Sequence, residues 1–157
     1  MATVELSFTA LPAHVRTARL VATAVARRSG VDESLLDEVR LAVGEACSRA
    51  VEGHQLYCPA EPVRLALTDR AGRFEVEVTD TCSPGARWPS GRAGSSADPG
   101  DLSSQDSMSS HESNGDGLLP AGLGIAVIEG LADDVQISET AAGTSIRMSW
   151  PSAGASR

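Results

Sequence analysis

The sequence predicts an α+β fold of two layers, in which a mostly antiparallel sheet is covered on one face by helices. Two runs, residues 63–67 and 74–78, alternate apolar and polar side chains across a turn at residues 69–72, which indicates an antiparallel hairpin with one buried face. Two other segments, residues 13–28 and 32–53, place apolar residues at helical spacing. At 157 residues we expect a single domain over the whole chain, 1–157.

The N-terminal part is predicted to be one strand followed by two helices. Apolar residues alternate with polar ones over 4–8, as in a half-buried strand. Pro12 suits the first turn of a helix that runs to about residue 28, because its missing N–H has no helical partner there. Asp32 is the expected N-cap of the central helix, which should end near Gly53, before a connector at 55–62.

The C-terminal part is predicted to contain a long lid, a short helix and a final hairpin. Residues 81–120 are dense in Ser, Gly, Pro and Asp, so they cannot offset their ordering cost, and we expect a disordered lid. Residues 121–132 are predicted to be helical. The hairpin comprises strands at 135–137 and 144–150, and a frayed tail follows at 151–157.

Composition excludes several classes of function. The formal charge is -8, which argues against a nucleic-acid surface, and all thirteen basic residues are Arg, which rules out a P-loop or a lysine nucleophile. The three cysteines, Cys47, Cys58 and Cys82, form no CxxC and show no zinc spacing, so we expect no metal site and reduced thiols. No leader and no membrane span are evident, and we expect a cytoplasmic protein.

Two local patterns are candidates for chemistry. Glu45 and Arg49 lie four residues apart on the polar side of the central helix; as an exposed pair they would contribute only about 0.3–0.5 kcal/mol. Gly122 and Gly124 open the short helix, whose free N–H groups could bind an anion, although a GxG pattern also occurs at ordinary helix starts.

The order of these parts resembles the histidine-kinase-type ATP-binding fold of gyrase, histidine kinases and MutL. Within that group, the chain is most similar to the small bacterial anti-sigma factors with serine-kinase activity. Three segments carry the resemblance: residues 36–54 look like the N-box helix, 122–135 like the second glycine box and 143–150 like the closing strand. The likeness extends from about Val4 to Trp150.

The resemblance implies ATP and Mg²⁺ as cofactors and assigns roles residue by residue. Glu45 matches the general base, which accepts a proton from the attacking hydroxyl or water. Asp80 matches the acceptor for the adenine amino group, and Thr144 the threonine that helps to fix the adenine. Gly122 and Gly124 match the second glycine box, which covers the phosphates.

The chain departs from the family pattern at three positions. Arg49 stands where the family has the Asn that holds Mg²⁺, and Cys82 and Pro84 replace the two glycines that follow the adenine-binding Asp. Arg has no lone pair for a metal, so no metal ligand is assigned. It could instead contact a phosphate directly and replace part of the metal charge.

Two functions from different classes remain open at this point. In the first, the chain is an anti-sigma factor that sequesters a sigma factor by binding alone and is antagonised by a STAS-type anti-anti-sigma factor. In the second, it is an active serine protein kinase that phosphorylates that antagonist with ATP and Mg²⁺. A general ATPase module of a larger system is a weaker third reading. The departures favour the first, and the resemblance also implies a homodimer formed through the sheet edge and the first helix.

Overall fold

Five strands and three α-helices make up the part of the chain that the computed structural model describes, residues 2–82, 123–140 and 143–153. In chain order the elements are β1 (Ala2–Phe8), α1 (Pro12–Arg28), a 3-10 turn (Glu33–Leu35), α2 (Leu36–Tyr57), β2 (Val63–Arg70), β3 (Arg73–Asp80), α3 (Leu123–Leu131), β4 (Asp134–Thr140) and β5 (Gly143–Pro151). Only residues 81 and 82 of the predicted lid fall in this part, and its remainder lies outside the described residues.

The five strands form one sheet in the order β1-β2-β3-β5-β4, and every neighbouring pair is antiparallel. Gly72 takes a positive φ of 79° in the turn between β2 and β3, a conformation that glycine adopts without steric cost. Alternation along β3 places Phe74, Val76 and Val78 on the buried face. The predicted class, a helix layer on one face of an antiparallel sheet, is confirmed.

The core lies between this sheet face and the helices. Trp150 and Phe74 are the largest fully buried side chains, and their ring centroids lie 6.4 Å apart across the β3–β5 pair. The indole Nε1 of Trp150 donates to the carbonyl of Leu131 at 3.0 Å, which ties the end of α3 to the sheet. Small residues of α1, among them Ala18 and Ala22, are buried and let α1 approach α2 closely.

Helix α2 is longer than predicted. The expectation that it ends near Gly53 and gives way to a connector is wrong, since the helix continues for one more turn to Tyr57. A glycine inside a helix costs about 1 kcal/mol relative to alanine. His54, the next residue, is fully buried, and this burial favours continuation of the helix. This extra turn places Cys58 at the helix C-cap, facing the end of β3.

The end of the last strand also differs from expectation. Strand β5 includes Pro151, and the N–H groups of Ser152 and Ala153 donate to the carbonyls of Gly72 and Gly30 at 3.0 and 2.9 Å. The first three residues of the predicted frayed tail are therefore bound to the domain, while 154–157 lie outside the described residues.

Among the described helices, none combines the length and apolarity that a membrane span requires.

Candidate functional site

One end of the candidate site is formed where α3 begins against the middle of α2. Gly124 is buried in the first turn of α3, and a Cβ atom built on it would lie 2.8 Å from Nη1 of Arg49 and 3.2 Å from Oε2 of Glu45. Because Gly124 has no side chain, the ends of both charged side chains have room beside α3. The structure thus brings together three of the predicted site residues, whereas Gly122 lies outside the described residues.

Arg49 is a cation held in a partly desolvated position. Burial lowers the pKa of its guanidinium from the usual value, and the carboxylates of Glu52 and Glu45 oppose that shift. An arginine begins from a pKa so high that it stays charged at neutral pH under such a shift. The site therefore contains a permanent positive charge one helical turn from Glu45.

The other end of the site is formed by Asp80 and Thr144, which are direct partners in the β3–β5 pair. Gly143 precedes Thr144 with a φ of 132°, and a Cβ atom built on it would lie 1.7 Å from the carbonyl oxygen of Asp80. No other residue type could bring β5 this close to the end of β3. The two residues that resemble adenine contacts are therefore adjacent, and this position depends on Gly143.

The Asp80 carboxylate is buried, with 8% of the residue exposed, and already has local partners. Its Oδ1 accepts a hydrogen bond from the backbone N–H of Cys82 at 2.7 Å and lies 3.1 Å from Nε2 of His54. Its Oδ2 faces α2, because a Cβ atom built on Gly53 would lie 3.4 Å from it. The carboxylate thus fits against the backbone of α2 at Gly53.

Helix α2 connects the two ends. Glu45, Arg49 and Gly53 follow one another at intervals of four residues, so they lie on one side of the helix. The eight residues from Glu45 to Gly53 rise about 12 Å along the helix axis. Gly124 lies at one end of this line and Asp80 at the other. An elongated ligand could therefore contact Asp80 with one end and the Glu45–Arg49 pair with the other.

A shallow depression elsewhere does not belong to this site. It has a volume of about 240 Å³ and lies on the sheet face opposite the helices, since its β3 residues, Glu77 and Thr79, alternate with buried Val78 and Asp80. None of the predicted site residues lines it.

A cluster that the sequence did not predict adjoins Asp80. His54 and Cys58, from the last turns of α2, meet Asp80 and Cys82 from the end of β3. The expectation of reduced thiols is wrong for two of the three cysteines, since Cys58 and Cys82 form a disulfide, with their Cα atoms 5.7 Å apart. Their sequence separation of 24 gives no recognisable spacing, and only the longer α2 and the hairpin register bring them together.

The third cysteine, Cys47, is free and fully buried on the core side of α2. Burial raises the pKa of its thiol to about 12, and the nearby Arg19 guanidinium only partly opposes this. Cys47 is therefore a packing residue without a reactive thiolate at neutral pH.

Comparison with known proteins identifies the family. Residues 8–150 match the model of the histidine kinase-like ATPase domain. The chain belongs to this family. The match covers the segments that carry the sequence resemblance, and it includes both ends of the candidate site.

A solved structure extends the comparison at the level of the fold. The fold is similar to that in a crystal structure of the RsbU and RsbW domains of Rv1364c from Mycobacterium tuberculosis, with a TM-score of 0.59 and 17% sequence identity. The alignment covers 95% of this chain and 32% of that chain, so this chain spans about a third of the length of that structure. A search of curated proteins gave no match.

The residues present fit the nucleotide of this ATPase family better than its metal. Within the described residues, the hydrogen bond and ion pair of the Asp80 carboxylate both use Oδ1, so Oδ2, with Thr144 beside it, offers an acceptor for an adenine amino group. At the metal position, by contrast, Arg49 offers only donors and a positive charge. The side chain of Cys82, joined to Cys58, also occupies a place where the family pattern has glycine.

Proposed function

We propose that this histidine kinase-like ATPase domain acts as an anti-sigma factor that binds a sigma factor stoichiometrically and is antagonised by a STAS-type anti-anti-sigma factor. The observation that carries the proposal is the contact of Arg49 with Gly124 and the neighbouring Glu45. It supports a site that lacks the metal on which phosphoryl transfer depends in this family.

The charges at this contact support binding without catalysis. A divalent cation about 4 Å from a guanidinium would be repelled by roughly 2 kcal/mol at the dielectric constant of water and by roughly 8 kcal/mol at an effective value of about 20. Glu45, the candidate general base, lies beside the same guanidinium, whose N–H groups can occupy its lone pairs. A carboxylate held in this way is a poor acceptor for the proton of an attacking hydroxyl.

A second function, ATP-dependent serine kinase, has one observation in its favour. Glu45 and Gly124 lie at one end of the candidate site, against the middle of α2, and the Asp80–Thr144 pair lies at the other end. This is the layout that the family resemblance requires for ATP. In that case Arg49 would contact a phosphate directly and replace part of the metal charge, while Mg²⁺ would still assist. The two functions differ in whether Mg²⁺ assists or opposes nucleotide binding.

The test combines one titration with one partner assay. Calorimetry with ATP, with Mg²⁺ and with a chelator, should show no Mg²⁺-dependent binding to the wild-type chain. Size-exclusion chromatography with each purified sigma factor and each STAS-domain protein of the source organism should yield a stable complex with a member of each class. Glu45→Ala should leave both complexes intact.

Two results would contradict the proposal. The first is the absence of any complex with the sigma factors. The second is transfer of the γ-phosphate to a serine of the antagonist that Glu45→Ala abolishes; this result would establish the kinase. Arg40→Ala, an exposed substitution on the same helix, is the matched control for nonspecific effects on α2.

We further propose that the protein is cytoplasmic and pairs as a homodimer through the edge strand β1 and helix α1. Three apolar residues of this region are exposed: Val4 by 41%, Leu11 by 46% and Leu20 by 61%. Burial of such side chains in a symmetric interface would be favourable. Sedimentation equilibrium should give a dimer, and Leu20→Asp should convert it to a monomer; a monomeric wild type would refute the dimer alone.

A further inference from the structure

Four side chains of the types that bind transition metals meet beside the candidate nucleotide site. His54 and Cys58 come from the C-terminal turns of α2, and Asp80 and Cys82 from the end of β3. One ligand atom from each residue lies within 4.8 Å of the others. His54 is fully buried and only 5% of Cys82 is exposed, so the four groups form an enclosed cluster.

The hydrogen bonds of His54 determine where its lone pair points. Nδ1 lies 2.9 Å from the carbonyl oxygen of Glu61, which can only accept, so Nδ1 carries the proton. Nε2 accepts the backbone N–H of Thr81 at 3.1 Å and is therefore the unprotonated nitrogen of a neutral ring. Donation of one ring N–H to a backbone carbonyl is the usual way in which a protein orients a histidine toward a metal.

This arrangement leaves two electron-rich atoms facing each other. Nε2 of His54 and Oδ1 of Asp80 are 3.1 Å apart, and Oδ1 already accepts the N–H of Cys82. A cation bound by both atoms would remove their repulsion. Two ligands about 2.0–2.1 Å from a tetrahedral Zn²⁺ are separated by roughly 3.3 Å, which is close to the observed spacing.

We propose that the reduced chain binds one Zn²⁺ through Nε2 of His54, a carboxylate oxygen of Asp80 and the thiolates of Cys58 and Cys82. A cellular dithiol would first supply two electrons and two protons to the disulfide and become a disulfide itself, leaving two thiols on the chain. A phosphine would supply the two electrons and be oxidised to its phosphine oxide, with water providing the oxygen and both protons. Zinc binding then displaces both thiol protons to solvent. Two thiolates and one carboxylate offset the charge of the ion, and the set remains with one net negative charge.

The ligand set favours zinc over the hard cations. Two sulfurs, one imidazole nitrogen and one carboxylate oxygen form a closed tetrahedral set typical of structural zinc, whereas Mg²⁺ and Ca²⁺ prefer oxygen ligands. Binding would take Nε2 away from the Thr81 N–H, which is the hydrogen bond that the site loses. The disulfide and the zinc site are alternative states of the same two sulfurs, and in both the end of α2 is attached to the end of β3.

The experiment uses the full chain, reduced with a phosphine, freed of metal and titrated with Co²⁺ as a spectroscopic substitute for Zn²⁺. We expect one equivalent of Co²⁺ to give the intense visible bands of tetrahedral coordination and a near-ultraviolet band from sulfur-to-cobalt charge transfer. Zn²⁺ should abolish both signals. Zn²⁺ should also raise the melting temperature of the reduced chain, because it binds the folded state, and leave that of the disulfide form unchanged.

Matched controls separate the cluster from other metal-binding groups. Cys82→Ser should weaken Co²⁺ binding by at least about tenfold and remove most of the charge-transfer band. Cys47→Ala, which changes a buried cysteine outside the cluster, should leave both unchanged. The disulfide form of the wild type needs no substitution and should give no cobalt signal.

Three results would overturn the proposal: no Co²⁺ uptake by the reduced wild type, an octahedral spectrum without a sulfur band, or equal uptake by the reduced and disulfide forms. The first two would leave the cysteine pair with only its disulfide. The inference does not depend on the anti-sigma function, since none of these measurements involves a partner or a nucleotide.

Discussion

Replacement of Arg49 by Asn tests the charge argument at the candidate site most directly. The guanidinium lies beside Glu45 and Gly124, where the family resemblance expects a metal ligand. We predict that Arg49→Asn strengthens binding of ATP in the presence of Mg²⁺ and weakens binding of ATP without it. The signs differ because Arg49 repels the metal but attracts the phosphates.

The magnitude follows from the charges. A divalent ion about 4 Å from a unit charge is repelled by roughly 2 kcal/mol at the dielectric constant of water and roughly 8 kcal/mol at an effective value near 20. Arg49 is only partly buried, so the lower value applies more nearly. It corresponds to an increase of about 30-fold, relative to the wild type, in the ratio of the ATP affinity with Mg²⁺ to the ATP affinity without it.

The assay is isothermal calorimetry of both proteins with ATP in Mg²⁺ and in chelator, which gives a double difference in free energy. Arg40→Asn removes the same charge from an exposed position on α2, where Arg40 pairs with Asp37, and should leave that difference unchanged. Wild-type binding that is tighter with Mg²⁺ than without it, or an Arg49→Asn protein with unchanged Mg²⁺ dependence, would refute the reasoning.

Three further predictions concern stability. Gly143→Ala should lower the free energy of unfolding by at least about 2 kcal/mol in urea titrations, because φ is 132° and the new Cβ would collide with a β3 carbonyl. The control Gly130→Ala, with no atom within 4 Å of the new Cβ, should be neutral or stabilising. An equal loss of stability in both variants would contradict the close approach of β5 to β3. Trp150→Phe should lower the free energy of unfolding in urea by about 1–3 kcal/mol, because it leaves the Leu131 carbonyl without the hydrogen bond from the indole N–H. An unchanged free energy of unfolding would contradict a stabilising role for this bond. The pKa of Cys47 rises from 9.0 to about 12 on folding, so the unfolded chain releases this proton first as the pH rises. The free energy of unfolding should therefore fall between those two pH values, and Cys47→Ala should lose this part of the pH dependence. Identical plots of unfolding free energy against pH for the wild type and Cys47→Ala would refute the assignment.

The sequence by itself determined the elements of this fold. Alternation in the strands and helical spacing in α1 and α2 depend on neighbours two to four residues away, so they can be read without a structure. The same holds for the family resemblance, which assigned Glu45, Asp80 and Thr144 to positions that the structure places along α2 and the β3–β5 pair. Boundaries were less predictable, as the extension of α2 beyond Gly53 shows.

Tertiary structure alone decided what surrounds those residues. The contact between Arg49 and Gly124 depends on how closely α3 packs on α2, and these residues are separated by a segment with no periodic pattern. The meeting of His54 and Cys58 with Asp80 and Cys82 requires both the last turn of α2 and the register of the hairpin. Such groupings join residues that are distant in the chain, and local periodicity carries no information about which distant segments come into contact.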